Sequence, residues 1–187
     1  MANARKGNMM KRIIIVVLLI VTIMTGTASA TITRGGGDNH DTFWYWVESS
    51  QLVNNQRVKI AYKFIQVRTS NIWGDNSYRS FVTLFVWTPA QTMTLSKKNN
   101  VILHIGSIRY ELANSDYKAK DSNGYSYKVS DIPLSTAGVL RDSRGKYDVM
   151  LAIPLENGRY IFYTPTSNEV SEWLQASDAF CNEIASE

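Results

Sequence analysis

From Phe43 onward, apolar positions alternate with polar ones over much of the chain. In "VKIAYKF" Val58, Ile60, Tyr62 and Phe64 point one way, while Lys59, Ala61 and Lys63 point the other. A period of two predicts a half-buried antiparallel strand. "SFVTLFVW" (Ser80 to Trp87) is apolar on both faces, so it is predicted to be central: Phe81, Phe85 and Trp87 share one face, and Val82, Leu84 and Val86 the other. Asn54-Asn55 separates the first two strands, and Gly74-Asp75-Asn76 breaks the chain before the third. "VILHIGSIRYEL" turns at Gly106-Ser107, where a leading glycine suits a type II′ turn. "YDVMLAIPLENGRYIFY" turns at Asn157-Gly158, a pair that predicts a type I′ turn. The polar region Asn114 to Gly145 is expected to hold one strand near Tyr125 to Val129 and a short helical turn near Ser135 to Leu140.

The period changes after Thr164. Thr166 and Glu169 form a capping box. Val170, Trp173, Leu174, Phe180, Cys181 and Ile184 follow at helical spacing, with Glu169, Glu172, Asp178 and Glu183 opposite. An antiparallel sheet has an apolar face to cover, so this helix, about residues 167–185, reads as a lid anchored by Trp173. Cys181 on the stripe reads as a small buried hydrophobe, with an intermolecular disulfide or a reactive thiol as the alternatives. The fold class is therefore mainly β: an antiparallel sandwich or open barrel of about seven to nine strands, capped by a C-terminal amphipathic helix.

The first thirty residues change the electrostatic picture. Arg5, Lys6, Lys11 and Arg12 precede an apolar run from Ile13 to Met24 and the small-residue site Ala28-Ser29-Ala30. This is the pattern of a signal peptide cleaved after Ala30, with an uncleaved anchor as the alternative. The apolar run is shorter than the roughly 20 residues of a spanning helix. Four of the 20 basic residues lie in this segment and none of the 16 acidic ones, so residues 31–187 are formally neutral. That balance removes the basic surface a nucleic-acid partner needs. The signal segment points to a secreted or periplasmic protein, with no stable membrane insertion after cleavage. "TITRGGGDNHD" (Thr31 to Asp41) has three consecutive glycines and no period, and reads as a flexible tether ahead of one domain, 42–187. Asp38, His40 and Asp41 fall in it, too few and too loosely framed for a closed metal site.

Candidate chemistry is sparse. There are only two histidines, His40 in the tether and His104 on a strand, where a surface hydrogen bond is the ordinary reading against that of a catalytic base. No G-x-S-x-G, phosphate loop or dinucleotide fingerprint is present, and a lone cysteine closes no internal bridge. The sequence thus predicts no catalytic residue, metal or cofactor. "RDSRGK" (Arg141 to Lys146) reads as a solvated turn. The unusual stretch is "FWYWV", Phe43 to Val47. By alternation Phe43, Tyr45 and Val47 share one face, and Trp44 and Trp46 share the other. Either both faces are buried, or Trp44 and Trp46 look outward beside Lys59 and Lys63 as a platform for a protein or a glycan.

Two resemblances extend this reading. "WVESSQLVNNQRVKIAYKF" followed by "SYRSFVTLFVW" resembles the opening of the small secreted bacterial surface adhesins typified by adhesin E, over residues 43–87. That likeness implies export, a compact β-rich fold and binding of host matrix proteins, although the paired cysteines of those adhesins are missing. "GRYIFYTPTSNEVSEWLQASDAF" is similar to the last strand and capping helix of a pleckstrin-homology domain, and implies strand-then-lid geometry. The expected function is an exported, non-enzymatic binding module, of the adhesin or surface-interaction kind. The alternatives are a secreted inhibitor or envelope accessory protein, and a hydrolase with an unrecognised site.

Overall fold

The computed structural model describes residues 31–36, 42–70, 76–133, 135–136, 139 and 148–185. The signal segment and "RDSRGK" lie outside them. Nine antiparallel strands run β1 (Thr31–Gly36), β2 (Thr42–Val53), β3 (Gln56–Ser70), β4 (Asn76–Pro89), β5 (Val101–Ile105), β6 (Ile108–Lys118), β7 (Tyr125–Ile132), β8 (Val149–Pro154) and β9 (Tyr160–Tyr163), followed by helix α1 (Ser167–Ala185). They form one sheet in the order β1-β2-β3-β4-β7-β6-β5-β8-β9, curled into a half-barrel. Of the two architectures expected, the open barrel is the one present, and no second sheet is stacked on it among the described residues.

The curl has a local cause in β6. Its first half, through Leu112, pairs with β5; from Ala113 it pairs with β7, across a bulge between Asn114 and Asp116. A bulge bends its strand and increases the twist. The far ends of the sheet then meet through side chains. Ser49 Oγ and Tyr163 Oη lie 3.1 Å apart, and Gln51 Nε2 donates to the Thr164 carbonyl at 3.0 Å.

Turn chemistry follows the residues. Asn54 (φ 52°) and Asn55 (φ 61°) close β2–β3 as a two-residue loop with both residues left-handed, a type I′ turn. Gly106 alone is left-handed in the β5–β6 loop, as a type II′ turn requires. The turn at Asn157-Gly158 differs from the type I′ expectation. Only Gly158 (φ 80°) is left-handed, the Gly158 amide donates to the Leu155 carbonyl, and the Leu155 amide donates to the Arg159 carbonyl. This is a three-residue loop, a type I turn with glycine at the bulge position. Ser135, Thr136 and Val139 are helical, inside the short turn expected there.

The concave face is the core. Phe43, Val47, Val58, Ile60, Leu84, Leu103, Leu112, Leu151 and Ile153 are all buried there. α1 closes it. Trp173 is 1% exposed, its ring 4.1 Å from that of Tyr62, and Phe180 packs against Phe43 at 5.5 Å and Phe64 at 6.0 Å. The capping box is formed in both directions: the Glu169 amide donates to Thr166 Oγ1 at 3.3 Å, and the Thr166 amide to Glu169 Oε2 at 2.6 Å.

Three expectations are corrected. Glu169 is not on the watery face of the helix but fully buried, because its carboxylate also accepts from Tyr163 Oη and Gln51 Nε2, each at 2.6 Å. Cys181 is exposed, because Phe180, the residue before it, takes the core position. Thr31–Gly36 is a strand rather than a tether. It pairs with β2 in register, Arg34 pairs with Glu183 of α1, and Tyr45 Oη donates to the same carboxylate at 2.8 Å. Gly35 answers a steric demand: a Cβ there would lie 2.2 Å from the Trp44 ring.

One buried cation stands out in the core. Lys128 of β7 is fully buried, and its ammonium donates to the Ser96 and Asn99 carbonyls of the β4–β5 connection. Burial lowers its pKa to about 8.

Candidate functional site

The convex face carries what the sequence leaves unexplained. Alternation sends Trp44 and Trp46 of β2, Lys59, Ala61 and Lys63 of β3, Phe85 and Trp87 of β4, and Tyr125 and Tyr127 of β7 to this side, opposite the core. α1 packs on the concave side, against β1 to β3, and no described element is stacked on the convex one.

The rings are organised. Trp46 meets Phe85 at 5.0 Å and Trp87 at 6.0 Å, and Phe85 and Trp87 stack at 5.7 Å with 13° between planes. Trp46 and Phe85 belong to strands separated by β3, so they can only meet above it. The β3 residue paired with Phe85 is Ala61, which is 0% exposed. A methyl group there leaves the room the rings occupy. Trp46 Nε1 donates to Glu48 Oε2 at 3.3 Å, which fixes the indole in its plane. Trp44 lies against Gly35, with Lys63 Nζ 5.5 Å from its ring centre. All of these rings are half-buried, each presenting part of its surface to solvent.

The cations sit at the margins. Lys63 is paired across from Trp46 and reaches Trp44. Lys59 is paired with Ser50 and Trp87, and its ammonium lies 5.5 Å over Tyr125 rather than beside the β2 indoles. Tyr127 Oη donates to Asp116, with Lys118 Nζ 5.8 Å above its ring. That hydrogen bond holds the Asp116 carboxyl below its usual range and raises the Tyr127 phenol.

Of the four residues singled out in the sequence, the structure thus brings Trp44, Trp46 and Lys63 into one cluster, with Lys59 at its far edge. Sequence reasoning misses Tyr125, Tyr127 and Gly35 as members of the face. Tyr125 and Tyr127 join only because β7 pairs with β4, a long-range choice that no local pattern encodes. The run of glycines was a usable signal, since glycine also marks close approach of backbone and ring.

Nothing comparable surrounds the candidate catalytic residue. His104 is half-buried on β5 with Arg109 and Met150 as its cross-strand neighbours. Among the described residues no cluster of three or more His, Cys, Asp or Glu side chains could hold a metal ion, and no helix is long and apolar enough to cross a membrane. Compared with protein-family models, with curated proteins and with solved structures, the chain matches none.

Proposed function

We propose that this protein is an exported, non-enzymatic binding module that engages a cell-surface protein or glycan through the convex aromatic face. One observation carries the reading: Trp46, Phe85 and Trp87 form an ordered ring cluster, with Trp44 on the same strand beside it, on the sheet face that α1 leaves uncovered. Indoles supply large contact area at low entropic cost and recur as interface anchors. Lys59 and Lys63 at the margin suit a polar partner with an apolar patch. The signal-like segment supports export to the periplasm or beyond, and the balanced charge of residues 31–187 supports a partner other than nucleic acid.

The test is the pair Trp44→Ala and Trp46→Ala, scored for adhesion to matrix proteins and on a glycan array. Hot-spot truncations often cost about 2 kcal/mol each, so the double variant is expected to lose binding. Because Trp46 also packs at a tilt against Phe85 and Trp87, a stability loss of about 1–2 kcal/mol accompanies it. A folded double variant that binds like the parent refutes the reading.

An inhibitor has one feature in its favour. The β3–β4 ladder runs out to Ser70 opposite Asn76, past the point where β7 pairing begins at Val82 opposite Ile132, so this hairpin projects beyond its neighbour. Replacing residues 68–78 by a short turn separates the two readings, since only the inhibitor depends on the projection.

A further inference from the structure

Two recesses adjoin on the convex face and share one wall. The first, about 280 Å³, is lined by Glu48, Lys59, Trp87, Asp121, Asn123 and Tyr125. The second, about 370 Å³, is lined by Thr31, Thr33, Trp46, Glu48 and Ser50, with Ser49 at its floor. The second falls at the small end of the size range of small-molecule sites and the first just under it. Glu48 divides them. Each recess has an indole on its wall, Trp87 in one and Trp46 in the other, and the two ring centres are 6.0 Å apart.

The polar groups are fixed before any ligand arrives. Glu48 Oε2 is held by Trp46 Nε1. Asp121 Oδ1 accepts from the Asn123 and Tyr125 amides at 2.8 and 2.9 Å, which locks the β6–β7 turn against the first recess. Lys59 lies over Tyr125. Side chains already held in place lose little freedom on binding.

We infer that these recesses are two adjoining sugar subsites that take consecutive neutral pyranose units of a glycan. The inference rests on the binding reading above and names the ligand class for it. A pyranose has an apolar face of C–H groups and a rim of hydroxyls. The apolar face fits against Trp87 or Trp46, and the rim finds acceptors in Glu48 and Asp121 and donors in Lys59 and Asn123. The second recess offers hydroxyls from Thr31, Thr33 and Ser50. The first recess carries two carboxylates against one ammonium, so a sialylated, sulfated or uronic unit meets net repulsion there. The shared wall between two indoles is what selects a disaccharide over an isolated sugar.

The test titrates the processed full-length protein with cellobiose, lactose, maltose and chitobiose, and with the corresponding methyl monosaccharides, followed by indole fluorescence. At least one disaccharide is expected to bind about tenfold tighter than its monosaccharide. Glu48→Gln and Lys59→Met are expected to weaken it about tenfold or more with unchanged melting, while Lys97→Met, on an exposed loop away from both recesses, leaves it unaltered. Failure of every neutral disaccharide to bind below about 10 mM, preference for acidic sugars, or indifference to both recess variants overturns the inference. If a protein partner is lost in the Trp44→Ala, Trp46→Ala variant but no sugar competes with it, the binding reading stands and the sugar assignment falls.

Discussion

Glu169 joins the lid to the barrel, and removing its carboxylate measures how much that junction contributes. The side chain is fully buried and receives three donors at 2.6 Å: Tyr163 Oη, Gln51 Nε2 and the Thr166 amide. In Glu169→Ala, Tyr163 keeps Ser49 and Gln51 keeps the Thr164 carbonyl, so neither is left without a partner. What is lost is one charge-assisted bond from a buried phenol, roughly 1.5–3 kcal/mol, and half of the capping box, about 1 kcal/mol. Freedom from burying a carboxylate offsets part of this. The expected loss is about 3 kcal/mol. Urea denaturation followed by tryptophan fluorescence is the assay, with a lower midpoint at unchanged slope as the signature. A double-mutant cycle with Tyr163→Phe isolates the bond and is expected to show about 1.5 kcal/mol of coupling. A variant within about 0.5 kcal/mol of the parent, or a cycle that closes to zero, refutes the idea that this carboxylate ties the helix to β9 and β2.

Further perturbations probe other parts of the fold. Trp173→Ala is expected to cost about 3–5 kcal/mol, and deletion of residues 166–187 to cause aggregation; a truncated chain that stays soluble and melts like the intact one shows that α1 is not the lid. Gly35→Ala is expected to displace the Trp44 ring and weaken partner binding, read as a change in near-UV circular dichroism with the fold retained; an unaltered spectrum disproves the ring contact. Stability is expected to rise with pH from about 8 toward 10.5, because the folded state holds the Lys128 proton less tightly than the unfolded chain does. Above pH 10 the trend reverses: burial raises the Tyr62 and Tyr163 phenols, so their contribution is complete below 10 and is lost above it. Lys128→Met is expected to abolish the rise and keep the alkaline fall; denaturation midpoints across pH 7 to 11 decide.

Local signals carried much of this architecture. Alternation in β2, β3 and β4 grouped the residues that share a face correctly, because one face of each strand is core and a slip of one residue inverts every side chain. The capping box marked the start of α1 and Trp173 its anchor. Turn geometry was legible at Gly106, where the left-handed first position of a type II′ turn favours glycine, and misleading at Asn157-Gly158, where the same pair serves two loop lengths. Glu169 misled because helical spacing cannot reveal that a phenol from β9 and an amide from β2 converge on one carboxylate. Of the candidate site, the outward indoles were readable from the period of two. Their neighbours were not: Phe85 and Trp87 reach Trp46 only across Ala61, and Tyr125 only through the β4–β7 pairing. Those are contacts between distant parts of the chain.

The order of elements has a consequence for how the protein is made. α1 follows all nine described strands, and the concave surface it covers belongs to β1, β2 and β3. While the chain is being synthesised, that surface has no native cover, and its apolar side chains are open to any holdase or protease present. A product cut short anywhere before Trp173 keeps that exposure. The helix thus works as a completeness check, leaving the apolar face of the half-barrel open until Trp173 and then Phe180 have arrived.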